Sequence, residues 1–404
     1  MIAEFKVQNF YSIRTPQVLS FIPSASHRSE EYFTQEVKPG VKLLKMGLIY
    51  GANASGKTNI LRALDSFRSL LTESPDDKLR SVRFIPFLLD DGSKDKPTSM
   101  EMTFYVKGLK YNLTLLYDSK NILEEVLTVT ESTKPALLYK RSYNPGNERP
   151  LVEFGTKSRL LKKSRQAIIS NTINNSTLLA AFGKTNTEPS LLDDVFGYFS
   201  QSMKAMIAPN DLLSSFIKNS LADDSDGHMK KFLLQLLKVS DFNIVDVEIN
   251  EQADSSKELN FGHATDEGIY RLPERFESVG TIKFLGMSVL LSQLLLSNRF
   301  ISIDEVESSI HSELVSYFIK LFIANSESHS QLVMTTHDIN LMNEDFLRRD
   351  VLWSTDKLDS GETFLNRFSD LGIHNTASIY NAYRQGKLGK VPFVGSIYLN
   401  LDMQ

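Results

Sequence analysis

Apolar and polar residues alternate at the start of the chain, with the period of two that half-buried β-strands show. Residues 2–10 and 18–22 follow this pattern on either side of a polar turn, and they predict a strand pair. Pro86 interrupts a later apolar run and predicts an irregular segment there. The alternation then returns and predicts a meander of short strands over residues 100–106, 111–117 and 122–130, with a further strand near residues 137–140.

Two stretches break the alternation. Residues 23–40 are polar and carry proline or glycine at their ends, which predicts a loop. From residue 157 to 245, apolar residues recur at helical spacing, which predicts a helical insertion. No heptad run is sustained there, so a coiled-coil arm is not expected. Strand and loop are expected to resume over residues 244–272.

An unbroken apolar run at residues 46–50 predicts a buried strand, and residues 59–71 predict a helix. Between them the chain reads G-A-N-A-S-G-K-T, which fits the G-x-x-x-x-G-K-T pattern of a phosphate-binding loop. A surface turn could match this pattern by chance. The flanking strand and helix, however, are the context that the functional motif requires, so the sequence predicts a nucleotide-binding loop.

The residue types in this loop suit a phosphate chain. Gly51 and Gly56 let the backbone turn so that its N–H groups point inward, and the start of the helix adds its dipole. Lys57 is expected to reach the β- and γ-phosphates, and the Thr58 hydroxyl is expected to bind Mg²⁺. The predicted nucleotide-binding residues are Gly51, Ala52, Asn53, Ala54, Ser55, Gly56, Lys57, Thr58 and Asn59.

A second polar group opens the apolar helix predicted over residues 282–296, which is apolar nearly all round and is expected to be buried. Ser278, Gly280 and Thr281 stand at its start. Residues of these types either cap a helix or form an anion site with the helix N-terminus, and the segment alone does not decide between the two.

Two further apolar strands end in residues that could act on a nucleotide. Asp304 and Glu305 follow the first, where Asp304 is expected to hold Mg²⁺ and Glu305 to polarise water. The alternative is that both acids cap a helix that begins at Ser308. His337 follows the second strand and could donate to the γ-phosphate, although a lone histidine is more often structural.

Composition narrows the class of protein. The chain has 404 residues, a net charge of −4 and an apolar fraction of 41%, as a soluble globular protein does. It has no cysteine, which excludes disulfides and cysteine-bound metal centres. It shows neither a signal peptide nor an apolar run that predicts a membrane span, so we expect a cytoplasmic protein without membrane contact. The basic residues 157–165 form either a solvated helix face or a phosphate-binding patch.

Together these motifs resemble the ATP-binding-cassette ATPases, in the branch that includes SMC-like, RecF-like and OLD ATPases. Residues 51–59, 277–281, 303–311 and 383–392 more closely resemble the bacterial AAA15/AAA21-type ATPases, the AbiL/RloA-like proteins of phage-defence operons. The resemblance implies an α/β fold, namely an ABC-type (SMC/RecF-like) P-loop ATPase head with a mixed β-sheet and a helical insertion. It also implies ATP and Mg²⁺ as cofactors.

The resemblance assigns roles to the motifs outside the phosphate loop. Ser278, Gly280 and Thr281 match the signature segment, Asp304 and Glu305 the Walker B pair, and His337 the switch histidine. It implies a homodimer that sandwiches two ATPs, the signature of one chain facing the phosphate loop of the other, or a higher oligomer built from it. The signature reads Ser-Val-Gly-Thr rather than Ser-Gly-Gly, and no glutamine is assigned to the Q-loop.

The predicted domains follow from these motifs. Residues 1–156 form a first ATPase lobe with the Walker A loop and the antiparallel meander, and residues 157–245 form the helical insertion. Residues 246–404 form a second lobe with the signature helix, Walker B pair and switch histidine. Residues 340–404 lack the Asp-x-Asp of an OLD-type nuclease.

The preferred hypothesis is an ATPase with Lys57, Glu305 and His337 as catalytic residues. Its dimerisation would control a separate effector protein from the same operon in anti-phage defence. One alternative is a DNA repair ATPase that binds DNA directly, which the net charge does not indicate. Another is a nucleotide-bound scaffold that does not hydrolyse ATP, against which Glu305 counts.

Overall fold

The fold is taken from a computed structural model of the chain, which describes residues 1–146, 149–209, 213–240, 242–251, 257–372 and 377–388. Residues 389–392 of the C-terminal motif, including Lys390, lie outside the described residues.

The strands are β1 (Ile2–Gln8), β2 (Gln17–Ser20), β3 (Thr34–Lys38), β4 (Val41–Leu44), β5 (Met46–Gly51), β6 (Thr98–Val106), β7 (Leu109–Tyr117), β8 (Ile122–Thr130), β9 (Ala136–Asn144), β10 (Arg149–Phe154), β11 (Ile244–Glu251), β12 (Lys257–Thr265), β13 (Gly268–Pro273), β14 (Phe300–Ile303), β15 (Gln331–Thr336), β16 (Leu352–Lys357) and β17 (Thr363–Arg367). The α-helices are α1 (Glu30–Phe33), α2 (Lys57–Thr72), α3 (Asp91–Lys94), α4 (Lys162–Asn171), α5 (Leu178–Gly183), α6 (Leu191–Gly197), α7 (Ser214–Ala222), α8 (His228–Val239), α9 (Val279–Leu296), α10 (Ser312–Asn325) and α11 (Ile379–Arg384).

The predicted strand pair and meander join into one antiparallel sheet. Among the described residues its order is β10-β9-β8-β7-β6-β1-β2. The alternation of buried and half-exposed residues along β6 and β7 shows why the pattern predicted them: one face packs on the core. The strand predicted near residues 137–140 is β9, which is longer than predicted and pairs with β10. The sequence does not predict β10, because Pro150 lies within that strand.

The second sheet places the candidate chemistry along one edge. Within the described residues its order is β14-β15-β5-β16-β17, and every pair is parallel except β16 with β17. Isolated parallel bridges from Met203 and Ile207 to β14 extend it by one irregular segment. Since parallel strands end at the same edge, the residues that follow β5, β14 and β15 come together there.

Helix α2 lies between the two sheets. It packs on β5 and β15 of the parallel sheet. Its Phe67 contacts Phe5 of β1 edge to face, with ring centroids 5.6 Å apart, and it also contacts Phe199. Because α2 begins directly after the glycine-rich loop, this apolar packing fixes the direction in which the helix N-terminus points.

Helix α9 is a core helix, as its apolar composition predicts. It packs against α7, α8, α10 and β14. Among the described residues it is the one helix that is long and apolar enough to cross a membrane, judged by length and composition alone. However, 67% of it is buried inside the protein. Burial of both faces by other elements explains its all-round hydrophobicity.

Three local predictions are wrong. Residues 23–40 are not a simple loop, because they contain α1 and the strand β3, which pairs with β4. The basic residues 157–165 do not form one helix, because a 3-10 turn at Thr156–Ser158 is followed by α4 only from Lys162. The helix after the acidic pair begins at Ser312, not at Ser308, and its N-cap is His311. In the first case β3 reads Thr-Gln-Glu-Val-Lys, and a single apolar residue, Val37, gives it no alternation to recognise.

A buried ion pair beside β16 yields a stability prediction. Arg348 donates to both carboxylate oxygens of Asp350 at 2.9 and 2.5 Å, and Ser24 adds two hydrogen bonds. Burial opposes ionisation of Asp350, but these hydrogen bonds outweigh it and lower its pKa. We expect Asp350→Asn to lower the free energy of unfolding by about 3–5 kcal/mol at pH 7, because Arg348 stays buried without its anion.

This loss should depend on pH in a defined direction. The ionised carboxylate contributes its stability above the unfolded pKa of Asp, near 3.8, and that contribution disappears as the pH falls through the lowered folded pKa. Urea unfolding at several pH values measures the difference between the variant and the wild type. A difference that does not shrink below pH 3.8 would contradict this account.

Candidate functional site

The glycine-rich loop joins the end of β5 to the start of α2, as predicted. Gly56, the last residue before α2, has a φ of +106°, which favours glycine. A Cβ on Gly56 would lie 1.9 Å from Thr363 Oγ1 of β17. Thr363 Oγ1 in turn donates to the Ser55 carbonyl at 2.9 Å. The strand β17, which the sequence did not predict, therefore braces the loop from one side.

The loop leaves backbone donors available to a ligand. Among the described residues, no hydrogen bond to a protein acceptor is seen for the N–H groups of Asn53, Ala54, Gly56, Lys57 and Thr58. The next two N–H groups of α2, from Asn59 and Ile60, donate to the Gly56 carbonyl. Asn53 and Ala54 are exposed. These N–H groups at a helix N-terminus fit the phosphates of a nucleotide.

Lys57 lies inside the loop. Its Nζ donates to the carbonyl oxygens of Gly51 at 2.9 Å and Ala52 at 3.2 Å. Burial lowers the pKa of Lys57, while the acidic residues after β14 oppose that change. The ammonium thus bridges the two sides of the loop from a buried position, close to where a bound phosphate would need a positive charge.

Thr58 and Asp304 come together across the sheet edge. Thr58 Oγ1 donates to Asp304 Oδ2 at 2.8 Å, and Thr335 Oγ1 donates to Asp304 Oδ1 at 2.5 Å. Asp304 is 3% exposed. A hydroxyl and a carboxylate are oxygen ligands of the kind that Mg²⁺ takes beside nucleotide phosphates, so this pair fits the ion.

Asn59, the last residue of the predicted nucleotide-binding segment, is held by a contact outside the loop. Its side-chain amide donates to the Ser12 hydroxyl at 2.7 Å.

Glu305 occupies a strained position next to Asp304. Its φ is +45°, which is uncommon for a residue with a side chain. Its N–H donates to Thr335 Oγ1 at 2.8 Å, and its side chain is 42% exposed. The two acids do not cap α10, so the capping alternative does not describe them. The strained backbone instead points to a position that the surrounding structure maintains.

His337 links Lys57 and Glu305. Its Nδ1 lies 3.3 Å from Lys57 Nζ and its Nε2 lies 3.5 Å from Glu305 Oε1. An ammonium can only donate, so Nδ1 accepts and the proton sits on Nε2, facing the carboxylate. The backbone N–H of His337 donates to Glu307 Oε1 at 2.5 Å, which holds the histidine from the other side.

The start of α9 forms a separate part of the candidate site. Ser278 Oγ accepts the N–H of Thr281 at 3.0 Å and lies 2.8 Å from the Thr281 hydroxyl. Ser278 therefore caps the helix, and this capping is compatible with an anion site at the same N-terminus. Among the described residues, no recorded hydrogen bond joins Ser278, Gly280 or Thr281 to the phosphate loop of the same chain.

Several residues of the site were not predicted. Thr335 holds both Asp304 and Glu305, and its position near the end of a buried strand was the available signal. Glu307 lies within residues 303–311, where the sequence indicates no role for it, yet its carboxylate accepts the N–H of His337. Thr363 carried no sequence signal, because its contact with the loop depends on a strand pairing far along the chain.

A comparison with protein-family models identifies the class of protein. Residues 48–343 match the AAA_21 family, described as "AAA domain, putative AbiEii toxin, Type IV TA system". The match covers most of the chain and contains every predicted site residue. The chain belongs to this AAA family. It therefore contains a P-loop AAA domain, which implies nucleotide binding, as the motifs predicted.

Among solved structures, the chain is similar to the SMC head domain from Thermotoga maritima, with 12% identity, a TM-score of 0.42, and coverage of 91% of this chain and 98% of that one. It is also similar to an SmcHead bound to the C-winged helix domain of ScpA, with 13% identity, a TM-score of 0.45 and the same coverage. No match was found among curated proteins.

Proposed function

We propose that this protein hydrolyses ATP and that ATP-dependent dimerisation acts as a switch for a separate effector in anti-phage defence. The observation that carries the hydrolytic part is the convergence of Lys57, Thr58, Asp304, Glu305 and His337 at one sheet edge. The strands that bring them together lie far apart in the chain, so a chance arrangement of the motif is a poor explanation.

The proposed roles follow the contacts. The loop N–H groups and Lys57 bind the phosphates, and Thr58 and Asp304 hold Mg²⁺, which neutralises charge on the phosphates. Glu305 accepts a proton from a water molecule while the water oxygen attacks the γ-phosphorus. The bond between the γ-phosphorus and the β–γ bridging oxygen breaks, which gives ADP and phosphate. The His337 Nε2–H, which lies 3.5 Å from the Glu305 carboxylate, is the proposed donor to the γ-phosphate.

The surface beside Ser278 supports the dimer. Val279 is 70% exposed and Phe276 is 67% exposed, on either side of Glu277 and Ser278. Ile269 and Tyr270 of the edge strand β13 are also more than half exposed. An exposed apolar group of this kind marks an interaction surface. A second copy that places its bound nucleotide at the start of α9 would cover it.

The control of an effector and the role in defence rest on the family. Its description names a toxin of a type IV toxin–antitoxin system. A toxin–antitoxin system has a second component by definition, and such a component is the kind of partner that a nucleotide-dependent switch would control.

Direct DNA binding is the weaker alternative. Of the basic residues 157–165, Lys157 pairs with Glu131 at 2.6 Å. Arg165 lies over the Phe154 ring and donates to the Leu160 carbonyl. These contacts use part of the positive charge within the protein and reduce what a phosphate backbone could bind.

Val279→Asp tests the dimer. With AMP-PNP and Mg²⁺, we expect light scattering to show the wild-type molar mass rising from 45.7 kDa to twice that value. We expect the variant to stay monomeric while it still binds the nucleotide, because the new carboxylate would be buried against an apolar surface and a phosphate. At equal concentration, dimerisation should weaken by at least about tenfold.

Leu296→Asp is the matched control. Leu296 is 82% exposed at the opposite end of the same helix, so the same substitution there should leave dimerisation unchanged. A wild type whose mass never responds to nucleotide would overturn the proposed switch. DNA binding that stimulates hydrolysis and weakens with salt would favour the alternative function.

A further inference from the structure

Lys283 is a buried cation on the apolar helix α9. It is 7% exposed, although lysine is rarely buried without a specific partner. It lies five residues after Ser278, within the first two turns of the helix that the signature segment begins. The proposed function so far gives it no role.

The Lys283 ammonium faces the acidic segment after β14. Its Nζ donates to the main-chain carbonyl of Glu305 at 3.4 Å. Burial lowers the pKa of Lys283, and the carboxylates of Glu307 and Glu305 act against that change. The same two acids contact His337. Glu307 accepts the backbone N–H of His337, and Glu305 lies beside the His337 ring. Lys283 therefore joins α9 to the residues proposed to act on water and the γ-phosphate.

A second contact joins the same two elements. A Cβ on Gly280 would lie 2.7 Å from the carbonyl oxygen of Ser309, so the start of α9 approaches this segment as closely as glycine permits. Glu305 and Ser309 both have positive φ values, +45° and +65°. The segment from Glu305 to Ser309 is thus held in a strained shape, with its first residue against Lys283 and its last against Gly280.

We propose that Lys283 is a positioning residue that couples the signature turn to Glu305 of the same chain. This role rests on the proposed function: Ser278 and Gly280 contact the nucleotide held by the partner, whereas Glu305 acts on the nucleotide of its own loop. A displacement of the first turns of α9 moves the Glu305 carbonyl through Lys283. Hydrolysis at one nucleotide then responds to contact with the other.

Lys283→Met is expected to lower kcat for ATP by about ten- to a hundredfold, the effect of misplacing a catalytic group by roughly 1 Å. ATP affinity should stay within about twofold, because Lys283 is not part of the phosphate loop. Lys283→Arg should recover part of kcat, since a guanidinium can still donate to the Glu305 carbonyl. Steady-state kinetics and equilibrium binding of a fluorescent ATP analogue measure these quantities.

Lys45→Met is the matched control. Lys45 is also a buried lysine that donates to a main-chain carbonyl, that of Ser326 at 2.6 Å, but it precedes β5 at the opposite end of the strand from the phosphate loop. This variant should lower the melting temperature without lowering kcat in the folded protein. If kcat of Lys283→Met falls only as its folded fraction does, the positioning role is wrong.

The double variant Ser278→Ala, Lys283→Met tests the coupling itself. If the signature acts on Glu305 through Lys283, kcat of the double variant should equal that of the slower single variant. Losses that multiply would overturn the coupling. If the wild type and Lys283→Met hydrolyse ATP equally fast, the positioning role alone is overturned. If the wild type does not hydrolyse ATP, the proposed function is overturned as well.

Discussion

Glu305→Gln is expected to lower kcat for ATP hydrolysis by about 10²- to 10⁴-fold, the usual contribution of a general base. An amide keeps the size of the side chain but cannot accept the proton of the attacking water. ATP binding should be retained, because Lys57 and the Thr58–Asp304 pair are unchanged. Phosphate release under steady-state conditions and nucleotide binding at equilibrium measure the two effects separately.

The variant should also accumulate the dimer. If hydrolysis opens the sandwich, Glu305→Gln with ATP should show the doubled mass that the wild type shows only with AMP-PNP. Glu313→Gln is the control, since Glu313 is an exposed acid in the first turn of α10. Equal hydrolysis by wild type and Glu305→Gln would show that Glu305 is not the base. No hydrolysis by either would favour the non-hydrolysing scaffold.

The parts of the molecule that the sequence predicted well are those specified locally. The phosphate loop needs glycine, lysine and threonine at fixed positions between a strand and a helix, and all of them are adjacent in the chain. The strands before Asp304 and His337 are short apolar runs, and parallel pairing with β5 brings their ends to the same edge. Local motifs and one topological rule thus predict which residues meet.

The parts that the sequence did not predict depend on distant pairing. The strand β17 has no apolar alternation strong enough to identify it, yet its Thr363 contacts the phosphate loop through a residue far away in sequence. The bridges from Met203 and Ile207 to β14 are of the same kind. Strand propensity depends on the neighbours that a strand finds, so such pairings are poorly visible in one sequence.

Lys283 illustrates a further limit. In the sequence it interrupts an apolar helix, and nothing nearby indicates which face of α9 it occupies. Its partner is a backbone carbonyl, and a backbone carbonyl carries no sequence signal. A single lysine within a helix apolar on all sides is nevertheless costly to bury, so it signals an unidentified partner.

Lys57→Met is expected to weaken ATP binding by about 2–5 kcal/mol, or roughly 30- to 4,000-fold, the cost of removing one member of a buried charge pair. Methionine retains much of the apolar stem and lacks the ammonium that holds the Gly51 and Ala52 carbonyls. Isothermal titration with ATP and Mg²⁺ measures the loss. Arg68→Met removes a positive charge further along the same helix, where Arg68 pairs with Asp65, and should leave affinity unchanged.

The Lys57 and Glu305 variants separate binding from chemistry. Because dimerisation is proposed to require bound ATP, Lys57→Met should lose affinity, dimerisation and hydrolysis together, whereas Glu305→Gln should lose hydrolysis alone. Lys57→Met with normal ATP affinity would mean that the loop holds the nucleotide through its N–H groups without the lysine. Lys57→Met that dimerises without bound nucleotide would mean that the apolar surface around Val279 associates independently of ATP. The order in which the functions fail therefore tests whether nucleotide binding, closure and hydrolysis form one sequence of events.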